Sequence, residues 1–287
     1  MPNGVGTRRP ASGAATVLDP VSAYIHRSAG GRGPVALMYH VIEPGHETPD
    51  WPWAVSIRQF EAHLELFREF GWQTRTLGEI SQGRGAVSEE RTLVVTFDDG
   101  YANNLYAAEA LYQRDMRASW FVVSGSVGRE PHWEDPGRPA GRMLSAGELR
   151  DLAAAGHEIG SHGVNHLRLP EISDPDRSFE LTASKAALQD LLGQSVDSFA
   201  YPFGAWDERS EAVVIEAGYR SACTTQTGLA WVDAHPYRLR RLTVFNTDTV
   251  GMLARKLAFA SHDAGWGSVV RYGARRVSAR AFGSRRS

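Results

Sequence analysis

Two carboxylates side by side, Asp98 and Asp99, end the stretch TLVVTFDDG at residues 92–100 and offer groups that acid–base or metal chemistry can use. Neighbours on a strand point to opposite faces, so both reach one pocket only if the backbone turns at the strand's end, and Gly100 permits that turn. The same Asp-Asp-Gly would also serve simply to end a strand and cap the next helix. A second constellation weighs against that bland role. SHGVNH places His162 and His166 four residues apart, a spacing that faces two imidazoles the same way if the chain turns helically after its strand. On their own such histidines would be surface or capping residues as readily as ligands. Together with a carboxylate at another strand end they compose a three-ligand site with room left for water, as in a catalytic zinc or similar divalent site rather than a structural one.

The elements that must position these groups alternate between strand and helix. VALMYHV at 35–41 reads as the first strand and ends in the polar pair Tyr39 and His40. The loop that follows carries Trp51 and Trp53, which either fold back onto the core or form a stacking wall for a flat apolar face such as a sugar ring. Ser56 reads as the N-cap of an amphipathic helix bearing Ile57, Phe60, Leu64 and Phe67 and stopped by Gly71. Trp72 to Leu77 reads as a strand, SQGRGAVSEE at 81–90 as a surface loop, Asn103 to Arg114 as a helix and ASWFVVS at 118–124 as a buried strand. Ser145 and Glu148 form a capping box opening a helix that stops at Gly156, and HEIGS at 157–161 is a short strand that delivers His162. Asp174 to Leu192 is a long helix ended by Gly193, SFAYPFG at 198–204 a strand broken by Pro202, and Asp207 the cap of a helix ending at Gly218. Tyr219 to Thr224 and Leu239 to Phe245 are further strands, and Thr249 to Phe259 is the last helix. This alternation predicts an α/β fold: about seven parallel strands closed into a (β/α) barrel, as a single domain over residues 34–262.

The remaining segments have a different character. Residues 1–33 are rich in Gly, Pro, Ala and Ser and read as a flexible N-terminal segment with a hinge at GGRG. Residues 263–287 form a basic C-terminal tail, arginine-rich and free of acidic residues from Arg271 onward. It is either solvated or a weak contact to an anionic membrane surface or phosphate-bearing partner. A net charge of −2 over 287 residues gives no reason to expect nucleic-acid binding. The single cysteine, Cys223, excludes an intramolecular disulfide and a multi-cysteine metal site. With no apolar run of signal-peptide or membrane-spanning length in the sequence, the expectation is a cytoplasmic protein.

TFDDG, GHEIGSHGVNH and FAYPFG, in this order and at these separations, resemble the polysaccharide deacetylases, the carbohydrate esterases with a NodB-homology domain. The resemblance covers residues 35 to about 250 and implies a distorted (β/α) barrel. It further implies that Asp98 is the general base, that Asp99, His162 and His166 hold a divalent metal, zinc first with cobalt, nickel or manganese as alternatives, and that the reaction removes the N-acetyl group of an N-acetylated sugar by metal-activated water. The break at Tyr201-Pro202-Phe203-Gly204 would supply an oxyanion donor. Pro202 has no N–H, so the backbone N–H of Phe203 is the candidate. Tyr39, Trp51, Trp53, Tyr201 and Pro202 are the expected substrate contacts.

The chain departs from the commonest pattern of that family at two places. An arginine usually opens the third motif, where FAYP stands here. Arg240 or Arg241 in YRLRRLTV would replace it as the residue that orients the base, one of the two facing inward. The late Leu-x-x-His that supplies the catalytic acid is not recognisable, and His262 in FASH only half fits it. His40 is the better candidate, since strand ends converge on one mouth of a barrel and LMYH with FAYPFG resembles the branch that includes poly-N-acetylglucosamine deacetylases. His157, in mid-strand, is read as structural. Hydrolysis of a non-sugar amide or cyclic imide on the same fold, or carbohydrate binding without catalysis, are the competing functions.

Overall fold

The computed structural model describes residues 18–29, 33–82 and 91–283, the side chains of Ala29 and of residues 275–283 excepted. Its ten strands are β1 (Val35–Tyr39), β2 (Val41–Glu43), β3 (Ala54–Ser56), β4 (Gln73–Arg75), β5 (Thr92–Phe97), β6 (Ser119–Val122), β7 (Glu158–Ser161), β8 (Ser198–Ala200), β9 (Ser221–Cys223) and β10 (Leu242–Thr243). Seven of them form one curled parallel sheet in the order β10-β1-β5-β6-β7-β8-β9, and β4 adds alongside the start of β5. The segment 239–243 brings the two ends together: Leu239 bridges to Cys223 on β9, while Leu242 and Thr243 pair with Leu37 and Met38 on β1. The fold is thus the distorted (β/α) barrel expected from the alternation of elements.

Helices α2 (Ile57–Glu69), α3 (Leu77–Gln82), α4 (Leu105–Tyr112), α5 (Ala146–Ala154), α6 (Asp174–Leu192), α7 (Glu208–Glu216) and α8 (Val250–Phe259) connect or follow the strands, with α1 (Pro20–Ala29) before the sheet and α9 (Trp266–Gly283) after it. Their ends follow the capping chemistry read from the sequence. The Ser56 side chain accepts from Gln59 N, Ser145 and Glu148 close a reciprocal capping box, Asp207 accepts from Ser210 N, and Gly193 ends α6 in the left-handed region. The buried strands read as unbroken apolar runs because helices cover the sheet. β1 is buried at all five positions and β5 at every position after Thr92, and Phe97 stacks on Trp120 with ring centroids 4.3 Å apart.

Three expectations need correction. Residues 20–29, placed within the flexible N-terminal segment, form α1, which docks through His26: its Nδ1–H donates to Ala254 O (2.8 Å) and its Nε2 accepts from Trp72 Nε1 (2.9 Å). Thr249–Phe259 is not the last helix, because residues 266–283 of the basic tail form α9. The strand predicted through Val41 breaks at His40, and Val41 begins the separate two-stranded ribbon of β2 and β3. Residues 30–32 of the GGRG hinge and residues 83–90 of the predicted loop lie outside the described residues, while Ser81 and Gln82 end α3. Among the described residues no helix is long and apolar enough to cross a membrane.

Three buried histidines are neutral by construction, and burial is the first cause in each case: His26, His63 and His157 are each pushed down to about 4. Each has a ring nitrogen positioned as an acceptor, of Trp72 Nε1–H at His26, the Tyr39 hydroxyl at His63 and Ala118 N–H at His157, and protonation would turn donor against donor. A histidine whose folded pKa lies below its unfolded value stabilises the fold above pH 6.5 and loses that contribution as pH falls towards 4, up to about 3 kcal/mol per site. Thermal unfolding of metal-stripped protein is therefore expected to show Tm falling steadily between pH 6.5 and 4.5. His157→Gln should be less stable at pH 7 and show a shallower fall; a flat profile for the unsubstituted protein would contradict this.

Candidate metal centre and active site

The carboxylate pair sits where β5 leaves the sheet. Asp98 N still donates to Tyr39 O (3.0 Å) in continuation of the β1 pairing, and the chain then reverses through Asp99 (φ 71°) and Gly100 (φ 90°). The turn therefore begins at Asp99 itself, one residue earlier than the glycine suggests. Both carboxylates are buried, and their partners differ.

Asp98 is held by Arg241, which is wholly buried. Arg241 Nη1 donates to Asp98 Oδ1 (2.6 Å) and Nη2 to Oδ2 (2.7 Å), a bidentate fork anchored by Nη1 to Thr96 Oγ1 (3.0 Å) and Nε to Thr224 O (3.0 Å). Burial alone would raise the pKa of Asp98, but the guanidinium outweighs it and the net direction is down. Arg240 does not reach the site. It turns outward to Asp233 (Nε to Oδ2, 2.6 Å), because successive side chains of extended backbone point to opposite sides.

Asp99 faces two imidazoles. Its Oδ1 lies 3.4 Å from His162 Nε2 and 3.3 Å from His166 Nε2, and the three residues offer ligand atoms all within 4.8 Å of one another. Burial would raise the Asp99 pKa; when the two rings are protonated, the charge of His166 and the hydrogen bonds from His162 and His166 hold it well below the usual carboxylate range. His162 Nδ1–H donates to Ala200 O (2.7 Å), which leaves Nε2 as the lone-pair nitrogen aimed at the carboxylate. Oδ1 of Asp99 is buried with no hydrogen-bond partner. Lone pairs converging on a buried carboxylate oxygen need a proton or a cation between them. Bonds of about 2.0–2.2 Å in tetrahedral geometry place ligand atoms about 3.3–3.5 Å apart, and the two measured edges fall in that range. The residues present fit a divalent metal.

The two histidines do not converge by the predicted helical turn. His162 follows directly on β7, and the loop curls through Gly163 (φ 82°) to His166, itself left-handed at φ 58°. Glu180, a buried carboxylate on α6, shapes that loop: Oε2 accepts from Val164 N and Asn165 N (both 2.8 Å) and Oε1 from Asn165 Nδ2 (2.5 Å). Ser184 Oγ, one turn on, donates to Gly163 O (3.0 Å). Both were missed in the sequence, although Arg177, Glu180 and Ser184 interrupt the inward stripe of α6 with polar residues, which is a signal that such a face holds something other than core.

The rim is aromatic. The His166 ring lies between Trp133 (centroids 4.7 Å) and the half-exposed Phe203 (4.5 Å), and the Arg168 guanidinium covers Phe203 at 4.2 Å. Phe203 is left-handed (φ 58°) in the turn Pro202–Gly204, and a Cβ at Gly204 would meet Thr225 Oγ1 at 2.1 Å. Trp133 belongs to a Pro- and Gly-rich loop that sequence reasoning passed over. With His132, Asp135 and Arg138 it lines an open cleft of about 630 Å³.

His40 follows β1 at the same mouth, half-buried, with Nδ1 lacking a partner and its ring beside Trp51 (6.1 Å) and Trp53 (6.4 Å). Burial lowers its pKa, while Asp99 and Asp98 act in the opposite sense. Trp51 is buried against Tyr101 and Met143 and Trp53 is half-buried, so of the two only Trp53 offers a partly open face. Tyr39 and Tyr201 are not brought to the site. Tyr39 turns into the core to bond His63 Nδ1 (3.1 Å), and Tyr201 packs against Phe199 and Trp206, with Pro202 buried beside it. His262 accepts from Thr243 N (2.7 Å), and His157 is structural.

The chain is similar to known polysaccharide deacetylases. The polysaccharide deacetylase family model matches residues 85–222. The Bacillus subtilis protein named "Putative polysaccharide deacetylase YxkH" is 28% identical over 229 residues, covering 79% of this chain and 76% of that protein. The poly-beta-1,6-N-acetyl-D-glucosamine N-deacetylase of Staphylococcus aureus is 22% identical over 205 residues, 67% of this chain and 68% of that one. The crystal structure of a polysaccharide deacetylase from Bacillus cereus superposes with a TM-score of 0.65 at 25% identity, over 78% of this chain and 69% of that one. Residues 85–222 thus resemble a polysaccharide deacetylase domain of the NodB type.

Titration of the metal-stripped protein with zinc should show one tight equivalent. Asp99→Ala, His162→Ala and His166→Ala should each weaken it by more than ~100-fold, whereas Asp98→Asn should retain it. Equal loss in Asp98→Asn would mean that the two aspartates share the ion.

Proposed function

We propose that the chain is a metal-dependent hydrolase that removes the N-acetyl group from an N-acetylated sugar, with Asp98 as general base and Asp99, His162 and His166 as metal ligands. The observation that carries this reading is the division of the aspartate pair: Asp98 is claimed by Arg241, and Asp99 by two imidazole Nε2 atoms. The names of the relatives support the choice of an acetylated sugar over another amide.

A bound divalent ion, zinc in this reading, supplies a Lewis acid and a water of lowered pKa. The chain's own groups do the rest. Arg241 keeps Asp98 ionised and fixes the plane of its carboxylate, so that it accepts the proton of the attacking water without swinging onto the cation. The Phe203 N–H, presented by the left-handed turn, is the donor for the oxyanion, and the Phe203 and Trp133 rings border the place where the sugar must lie. His40 is the group assigned to protonate the departing amine and must enter that step as imidazolium, a form that Asp99 and Asp98 favour and burial opposes. The cleft beside Trp133 has the size of a small-ligand site.

Acetate release from N-acetylglucosamine oligomers, assayed with metal-stripped and zinc-reloaded protein, tests the reading. Activity should depend on the metal, and Asp98→Asn should keep the metal while losing about 10²–10⁴-fold in kcat. Turnover of simple amides with silence on every acetylated sugar would replace this substrate class.

A further inference from the structure

Helix α9 stands apart from the barrel's chemistry. Its inner face is marked by buried Ser268 and by Tyr272, whose ring lies 5.4 Å from that of Phe259 on α8. Trp266 and Val270, four residues apart and so one above the other on a different face, are 58% and 71% exposed. The helix start is fixed: Arg255 lies over the Trp266 ring at 4.8 Å while donating to Ala264 O (2.7 Å) and Ser22 Oγ (2.5 Å), which ties α9 to α8 and α1. An apolar strip held outward on an anchored helix is not accounted for by core packing.

The charge along this segment is one-sided. From Trp266 to Ser287 the sequence holds six arginines and no aspartate, glutamate or lysine, in a chain whose net charge is −2. Arg271 is exposed and paired with Asp263; Arg275, Arg276 and Arg280 follow within the helix.

We propose that α9 lies on an anionic lipid surface, with Trp266 and Val270 at headgroup level and its arginines among the lipid phosphates. Charge and apolarity together select this partner. A second copy of the helix would set like charge against like, and nucleic acid would leave an indole and a valine in water, whereas an anionic bilayer interface accommodates both. No helix among the described residues can cross the bilayer, so the contact is parallel to the surface. The inference stands independently of the reaction assigned to the barrel.

Sedimentation of the full chain with sucrose-loaded vesicles tests it, comparing phosphatidylcholine alone with phosphatidylcholine containing about 30% phosphatidylglycerol. Partitioning should be at least ~10-fold stronger to the anionic vesicles and should fall by a similar factor from about 0.1 M to about 0.5 M salt. Val270→Asp and the pair Arg275→Glu, Arg276→Glu should each reduce it about tenfold, with unchanged Tm and unchanged zinc binding to show that the barrel is intact. Equal binding to neutral vesicles, no binding to either, or full binding by Val270→Asp would overturn the proposal. So would a dimer in solution that Val270→Asp dissociates.

Discussion

The buried ion pair between Arg241 and Asp98 is the constraint on which the site depends. Two opposite charges removed from water are tolerable only with good geometry and satisfied donors, and the fork on Asp98, with Thr96 and Thr224 taking further guanidinium N–H groups, meets that requirement. Arg241 lies in the segment that links β9 to β1, while Asp98 follows directly on β5, so the pair also ties the closing segment of the barrel to that strand. With one aspartate occupied in this way, its neighbour is free to face the imidazoles. The division of roles between adjacent, chemically identical residues comes from their partners.

Backbone strain gathers at the same place. Among the described residues six other than glycine have positive φ, and Asp99, His166 and Phe203 are three of them. Conformations of this kind persist only where the surroundings over-determine them. Here the surroundings can be named: Glu180 and Ser184 pin the loop before His166, Ser124 N and Gly125 N donate to Gly163 O and Val164 O (both 3.0 Å), and Gly204 N closes the Phe203 turn on Tyr201 O (2.8 Å). The helix α6 thus positions ligands that belong to a different element.

The sequence revealed the strand ends and the helix caps because both are local: an apolar run that stops at polar residues marks a sheet edge, and Ser, Thr or Asp before a helical stripe marks a start. It was less informative where the deciding contact is remote. Helix α1 is held by His26 to Ala254, 228 residues away, and its composition alone suggests a flexible segment. Tyr39 and His40, like Arg240 and Arg241, are adjacent pairs of which the structure sends only one to the site, and strand parity cannot be read without knowing where a strand breaks. The loop carrying Trp133 has no periodicity to read, and the left-handed turns at Asp99 and His166 use residues for which chemistry, not conformational preference, explains the choice.

The central claim is that neighbouring aspartates divide the work, one on the arginine and one on the metal. A crystal structure of the zinc-loaded protein, with anomalous scattering recorded at the zinc edge, tests it most directly. The account predicts a single ion within about 2.0–2.2 Å of Asp99 Oδ1, His162 Nε2 and His166 Nε2, with the Arg241 fork on Asp98 intact. An ion bound by Asp98, with Arg241 displaced, would contradict it.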